Sequence, residues 1–203
     1  MSDWFRRTLT VVAVLLGAGT VLALGQQNRS LRQKNRDLIT RFTEPHPGLL
    51  VPAFQATSLT GDTVTIGERT TDERQVLFFF TTTCAYCLTS IPALEELRSA
   101  LARRPATPSR LFAIGLDSAG AVRRFAESRH LSFPVLLLPS QRLSLLYRVR
   151  AVPQLMVLDS SGHTVYARAG ALQGAGVLDS IITAVTRRPQ SNQRKQVVVA
   201  GSS

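Results

Sequence analysis

Cysteine and histidine, the side chains that most often bind zinc, are scarce in this chain. Its 203 residues include two cysteines and three histidines. A structural zinc site needs four ligands, usually two cysteine pairs or one pair together with closely spaced histidines. The three histidines, His46, His130 and His163, lie too far apart in the sequence for that spacing. The composition therefore argues against a zinc protein, and we assign no metal ligands.

The two cysteines stand close together, as Cys84-Ala85-Tyr86-Cys87. A covalently attached c-type haem needs histidine directly after the second cysteine, and Leu88 occupies that position. A purely structural disulfide across two residues would close a very small loop and constrain the unfolded chain little. We therefore interpret the pair as a redox-active dithiol.

The surroundings of the pair support this interpretation. An apolar run over residues 76–80 predicts a strand buried on both faces, and the cysteines open a helix that we predict to reach about residue 103. Cys84 then lies at the helix N-terminus, where unpaired N–H groups and the helix dipole favour a thiolate. Cys87 follows one turn later, close enough to form a disulfide with it.

Acidic residues are few, and the excess of basic residues is unevenly distributed. The chain has 24 Lys and Arg against 13 Asp and Glu, a net charge of +11. Residues 52–186 hold thirteen Arg and ten acidic residues, so most of the excess lies in the two flanks. Basic flanks beside an apolar segment are typical of contact with anionic lipid headgroups. No aromatic-rich basic motif is present, so we expect no nucleic-acid partner.

One run of residues near the N-terminus is both apolar and free of charge, and it covers residues 8–25. Eighteen such residues are near the lower limit for crossing a membrane, and we predict an uncleaved, single-pass anchor after a short flank, residues 1–7. A cleaved signal peptide is the alternative. The resemblance described below places the following domain on the extracytoplasmic (periplasmic) side of the cytoplasmic membrane. A count of Lys and Arg on either side of the span gives the opposite orientation.

The rest of the chain divides into three segments. Residues 26–50 form a polar, helix-prone stalk and a linker broken by Pro45 and Pro47. Residues 51–186 predict an N-terminal β-hairpin around Gly61 and then a β-α-β-α-β and β-β-α order, which gives an α/β domain with a mixed central sheet flanked by helices. Pro92 is expected to interrupt and kink the cysteine-bearing helix, and Ser118 to cap the next. Residues 187–203 form a polar, basic tail that we predict to be disordered.

Residues 51–186 resemble the thioredoxin superfamily, specifically membrane-anchored TlpA/ResA-type domains of the redoxin (AhpC/TSA-like) class. The matching features are Pro52-x-Phe54, Gly61-Asp62-x-Val64, the CxxC after a buried strand, Pro92 five residues beyond Cys87, Val152-Pro153 at the start of a strand, and Gly170. Together they are more specific than the CxxC alone.

The resemblance implies a role for each matching site residue. Cys84 would be the attacking nucleophile and Cys87 the resolving thiol, with no cofactor beyond their disulfide. Pro153 would be cis beside the disulfide and would hold the backbone open for an extended substrate segment. Val152, Thr83 and Tyr86 would also contact the substrate, and Pro92 would be structural.

The chain also departs from this family at three positions. Thr83 stands where many members have tryptophan, Phe78 where thioredoxins have a buried acid, and Ser90 where many anchored members have glutamate. The sequence therefore shows no carboxylate placed to take the proton from Cys87.

Three functions are compatible with these observations. The leading hypothesis is an anchored thiol-disulfide oxidoreductase acting on protein thiols and disulfides, with an electron donor that the sequence does not identify. A thiol peroxidase is the second, although Leu77 replaces the proline of the peroxidase motif while Thr81 fits it. A non-catalytic scaffold with a vestigial CxxC is the third.

Overall fold

The computed structural model describes residues 2–69, 73–104, 108–174 and 176–187, and it divides the chain into two units, residues 1–44 and 45–203. The first unit is a single helix, α1 (Ser2–Thr43). Among the residues whose side chains are described, no helix is long and apolar enough to cross a membrane. The span predicted for residues 8–25 includes residues 8–14, whose side chains lie outside that description. The tail beyond residue 187, which we predicted to be disordered, also lies outside the described residues.

The second unit begins with the predicted hairpin. Strand β1 (Phe54–Ser58) pairs antiparallel with β2 (Thr63–Ile66). The turn between them places Gly61 at a φ of +96°, a conformation that side chains with a Cβ rarely adopt. The Ser58 hydroxyl accepts the Asp62 N–H at 3.0 Å and so closes the turn. The hairpin prediction is confirmed.

A seven-stranded mixed sheet forms the centre of this unit, in the order β2-β1-β5-β4-β3-β6-β7. The remaining elements are β3 (Arg74–Phe80), α2 (Ala85–Ala102), β4 (Ser109–Gly115), α3 (Ala119–Ser128), β5 (Val135–Leu137), α4 (Gln141–Leu146), β6 (Gln154–Leu158), β7 (Thr164–Ala169) and α5 (Val177–Thr186). Strands β3, β4 and β5 are parallel neighbours, and the other pairings are antiparallel. The mixed sheet predicted from the element order is confirmed.

Strand β3 lies between two apolar clusters, one on each face of the sheet, so all of its residues are buried. Val76, Phe78 and Phe80 pack in a cluster with side chains of α2, α3 and α5. Leu77 and Phe79 point to the other cluster, which includes Tyr147 just after α4. Each fully buried side chain of this kind contributes about 1.5–3 kcal/mol to folding. The continuous apolar run therefore fixes the strand that leads to the cysteines.

Two local predictions need correction. Helix α2 continues through Pro92 as one element, so the proline does not interrupt it. Ser118 is the N-cap residue of α3, but its side chain makes no capping hydrogen bond.

Candidate dithiol site

The site lies where β3 ends and α2 begins, and it is built around the N-cap of α2. Cys84 is the N-cap residue, with extended backbone angles (φ −78°, ψ 110°), and its Sγ accepts the Cys87 N–H at 3.1 Å. The Cys84 N–H donates to the Thr81 carbonyl at 3.3 Å. The local sequence thus places the first sulfur against the unpaired N–H groups of the helix, where negative charge is stabilised.

The two cysteines differ in exposure. Both are free thiols; Cys84 is half-buried, while Cys87 is 1% exposed. The surroundings of Cys87 are apolar and include Phe78, Phe80 and Phe125. Only Cys84 is therefore open to a disulfide of another protein.

The environment of Cys87 raises its pKa to about 12. Burial is the largest cause, because it disfavours the charged thiolate, and the side-chain hydrogen bond with Cys84 acts in the same direction. The charges of Cys84 and Asp117 also raise the pKa, whereas a backbone hydrogen bond with Thr81 lowers it. Cys87 is consequently held as a thiol near neutral pH.

The Val152-Pro153 peptide bond is cis, as the resemblance implied, and it lies against the first cysteine. The Cys84 Sγ is 3.6 Å from the Val152 carbonyl oxygen, to which it donates. Pro153 is buried, and its carbonyl accepts the Gly170 N–H at 2.8 Å, which joins β6 to the end of β7. The fold therefore brings together residues that are 68 positions apart in the sequence.

The other predicted site residues lie on the surface around the dithiol. Thr83 is exposed directly before Cys84, and Tyr86, between the cysteines, is 68% exposed. Pro92 is exposed within α2, five residues beyond Cys87. Thr83 and Tyr86 thus flank the half-buried sulfur, whereas Pro92 is set back along the helix.

The two positions without an acid are both part of the packed interior. Phe78 is 2% exposed and stacks with Phe80, with ring centroids 6.2 Å apart. Ser90 is fully buried; its hydroxyl donates to the Tyr86 carbonyl at 2.7 Å and accepts the Leu172 N–H at 3.0 Å. Neither position offers a base to Cys87.

The structure adds one residue that sequence reasoning missed, Asp117. One of its carboxylate oxygens accepts both the backbone N–H of Thr82, at 2.5 Å, and the Thr82 hydroxyl, at 2.7 Å. The available signal was that parallel neighbouring strands end at the same edge of a sheet, so that residues after β4 can meet the loop after β3.

A large cavity lies away from the dithiol. It has a volume of about 660 Å³ and is lined by Arg74 and Asp159, among others. Arg74 begins β3, whereas Cys84 follows the other end of that strand. Within the described ranges, no three His, Cys, Asp or Glu side chains come together as candidate metal ligands.

Comparisons with known proteins agree with this fold. A model of the AhpC/TSA family matches residues 47–167. The thioredoxin-like protein YneN of Bacillus subtilis is 28% identical over 115 residues, which cover 57% of this chain and 66% of that protein. The chain thus spans just under two thirds of the length of this relative.

Solved structures give the same result. A Chlorobium tepidum protein assigned as the thiol:disulfide interchange protein DsbE superposes with a TM-score of 0.59 at 21% identity, covering 70% of this chain and 96% of that one. StoA from Bacillus subtilis superposes with a TM-score of 0.56 at 18% identity, covering 67% and 98%. At these identities the likeness shows the fold, so the thioredoxin-like fold that the resemblance implied is confirmed.

Proposed function

The chain belongs to the AhpC/TSA family, and from that premise we propose that it is a thiol-disulfide oxidoreductase that exchanges or reduces disulfides in protein substrates through Cys84 and Cys87. The observation that carries the proposal is the arrangement of the first sulfur. Cys84 Sγ is half-buried at a helix N-cap, accepts the Cys87 N–H, and lies 3.6 Å from the carbonyl that precedes a cis-proline. This arrangement suits a sulfur that alternates between thiolate and disulfide.

The reaction proceeds through two exchanges. The Cys84 thiolate attacks one sulfur of a substrate disulfide, which forms a mixed disulfide and expels the other substrate sulfur as a thiolate that takes a proton from water. Cys87 then loses its proton to solvent and attacks Cys84 Sγ, which forms the Cys84–Cys87 disulfide and releases the second substrate sulfur. Two electrons pass from the dithiol to the substrate. A thiol reductant returns the dithiol, and the same steps in reverse oxidise a substrate.

The second exchange is the step that the site makes difficult. Its rate depends on the Cys87 thiolate, and the raised pKa of Cys87 keeps this species scarce near neutral pH. The attacking step does not require that thiolate. Resolution of the mixed disulfide is therefore the slower of the two exchanges.

Substrate recognition is assigned to residues on either side of Cys84. Val152 and Pro153 offer backbone beside the sulfur, and we assign an extended substrate segment to this place. Tyr86 and Thr83 are exposed next to it and supply apolar and hydroxyl contacts. No cofactor takes part beyond the Cys84–Cys87 disulfide.

We also propose that residues 8–25 anchor the chain in the cytoplasmic membrane, with residues 51–186 on the extracytoplasmic side. The support is the run of eighteen residues without charge and the basic residues on both sides of it. Reporter proteins fused after residue 187 test the assignment, and we expect activity from a reporter that works only outside the cytoplasm. Activity from a reporter that works only in the cytoplasm would instead support the orientation given by the Lys and Arg count.

Two assays on the full-length chain in detergent test the activity. With dithiothreitol as reductant, the chain should accelerate insulin reduction, and both Cys84→Ser and Cys87→Ser should abolish this. Peroxide consumption with the same reductant should stay at the uncatalysed rate. Peroxide turnover without insulin reduction would instead support the peroxidase hypothesis, and activity in neither assay would support a scaffold.

A further inference from the structure

Asp117 is bonded to the loop that presents the nucleophile. The loop over residues 81–83 connects β3 to α2, and Thr82 at its centre gives both of its donors, the N–H and the hydroxyl, to one oxygen of Asp117. Both residues are half-buried. Hydrogen bonds to a carboxylate are stronger than those between neutral groups, so this contact restrains the loop more than an ordinary turn would.

The pairing of two parallel strands creates this contact. Phe80 in β3 is in register with Gly115 in β4, and the Leu116 N–H extends the pairing by donating to the Phe80 carbonyl at 3.0 Å. Thr82 and Asp117 each lie two residues beyond this last pair, one after β3 and the other after β4, so they lie opposite each other. The Cys84 N–H donates to the Thr81 carbonyl within this loop. The position of the nucleophile therefore depends on the restraint that Asp117 places on the loop.

We propose that Asp117 is a positioning residue of the dithiol site, which holds the loop before Cys84 through Thr82 and presents a negative charge to Cys87. This inference rests on the proposed function, because it concerns the two exchanges described above. Asp117 makes its hydrogen bonds with Thr82 and not with either sulfur. It therefore acts on the dithiol through the loop and through its negative charge.

The effect of the Asp117 charge on the pKa of Cys87 has a direction that can be measured. Side chains of β3, α2, β4, α3 and the segment before β5 surround Cys87, and all of them are apolar. The titratable groups that act on its thiol are Cys84, at the N-cap of α2, and Asp117, between β4 and α3. A negative charge nearby disfavours the thiolate and so raises the pKa of Cys87. Removing that charge should lower this pKa and ease resolution at a given pH.

Substitutions at Asp117 can separate the hydrogen bonds from the charge. A single carboxylate oxygen accepts both bonds from Thr82, and the amide oxygen of asparagine can take its place. Asp117→Asn therefore keeps the restraint and removes the charge. Asp117→Ala removes both, and Thr82→Val removes one hydrogen bond and keeps the charge.

The chain provides a matched control in Glu95. Its carboxylate also accepts both the N–H and the hydroxyl of a single residue, Ser132, across a similar sequence distance. That pair joins the middle of α2 to the segment before β5, and its hydrogen bonds do not involve the loop before Cys84. The two carboxylate oxygens of Glu95 each accept one of these bonds, so Glu95→Gln removes the negative charge together with one of the two hydrogen bonds. The substitution therefore tests the loss of a carboxylate that is bonded to Ser132 and not to the loop before Cys84.

The experiment follows the reaction of the reduced, full-length chain with dithiodipyridine, a neutral disulfide that the charge of Asp117 neither attracts nor repels. The first thiopyridone released reports attack by Cys84, and the second reports resolution by Cys87. Both rates are measured against pH by stopped flow. Insulin reduction by the unmodified chain is measured in parallel, so that failure of the proposed function is distinguished from failure of the role of Asp117.

The expected results differ between variants. Asp117→Asn should leave the rate of attack within about twofold of that of the unmodified chain. It should shift the pH profile of the resolution rate to lower pH, so that resolution is about two- to fivefold faster at a fixed pH. Asp117→Ala should slow attack about tenfold, because two charge-assisted hydrogen bonds are lost. Thr82→Val should slow attack without moving the resolution profile, and Glu95→Gln should match the unmodified chain.

Two results would overturn the inference. Slower resolution in Asp117→Asn, with attack unchanged, would mean that the carboxylate accepts the proton of Cys87 instead of opposing its loss. Rates in Asp117→Ala equal to those in Glu95→Gln would mean that the restraint on Thr82 has no effect on the dithiol.

Discussion

The Ser90 hydroxyl accepts the Leu172 N–H at 3.0 Å and so ties the cysteine-bearing helix to the segment after β7. Ser90 is fully buried and Leu172 is 4% exposed. Position 90, at which the sequence shows no acid, is therefore occupied by a residue that makes a structural hydrogen bond. A carboxylate introduced there would be desolvated and would leave the Leu172 N–H without its acceptor in the present geometry.

Substitutions at Ser90 should destabilise the fold. We expect Ser90→Ala to lower the free energy of unfolding by about 1–3 kcal/mol, because a buried N–H loses its acceptor. We expect Ser90→Glu to lower it further and not to accelerate insulin reduction. Urea unfolding of the full-length variants measures both.

Thr89 is the matched control for this prediction. Its hydroxyl also donates to the Tyr86 carbonyl, at 3.1 Å, but Thr89 is exposed and its hydroxyl has no second partner among the described residues. Thr89→Ala should change the free energy of unfolding by less than about 0.5 kcal/mol. Equal effects at the two positions would show that the Leu172 bond is unimportant.

Gly115 should not tolerate a side chain. A Cβ at this position would lie 2.5 Å from a methyl carbon of Val122, which packs α3 against the end of β4. We expect Gly115→Ala to cost about 1–3 kcal/mol of unfolding free energy, because the packed core cannot absorb the overlap. The same substitution would displace the segment that carries Asp117, so attack by Cys84 should also slow.

Gly120 gives the comparison for this substitution. A Cβ there would meet only the end of the flexible Arg124 side chain, at 3.5 Å, and the position lies within α3. Alanine favours a helix over glycine by about 0.5–1 kcal/mol, so Gly120→Ala should be neutral or stabilising. Thermal unfolding of both variants checks the pair, and a destabilised Gly120→Ala together with an unaffected Gly115→Ala would refute the packing argument.

The reduced protein should lose stability at alkaline pH because of Cys87. Its pKa is raised from 9.0 to about 12 in the folded state. Between these values the unfolded thiol releases its proton while the folded thiol keeps it, so the unfolded state binds fewer protons and stability falls as pH rises. The slope for one such group is at most about 1.4 kcal/mol per pH unit.

Urea unfolding of the reduced chain between pH 8 and pH 10.5 tests this sign. The Tyr147 hydroxyl, whose pKa burial also raises, adds a loss in the same direction above its ordinary pKa of 10.0. The difference between the unmodified chain and Cys87→Ala isolates the cysteine. If both lose stability equally with pH, the burial of Cys87 does not control its ionisation.

Much of the fold was predictable from the sequence because its signals are local. The apolar run that ends at Phe80, the turn at Gly61 and the CxxC each depend on neighbouring residues, and all three lie where they were predicted. The cis state of Pro153 was not local information; it followed from the resemblance to a family.

The features that could not be predicted from the sequence depend on contacts between distant segments. Asp117 reaches Thr82 only because β3 and β4 pair in one particular register, and a sequence does not specify that register. Ser90 meets Leu172 across 82 residues for a similar reason. Ser118 has the right residue type for a cap, but its side chain makes no such bond.

The central claim is that Cys84 attacks and Cys87 resolves, and trapping of the mixed disulfide tests it most directly. Full-length Cys87→Ser and Cys84→Ser chains are reduced, freed of reductant and incubated with a disulfide-bonded peptide, and the products are mapped by mass spectrometry after digestion. We predict a stable peptide adduct on Cys84 in Cys87→Ser and almost none on the buried Cys87 in Cys84→Ser. Equal or greater adduct formation on Cys87 would contradict the account.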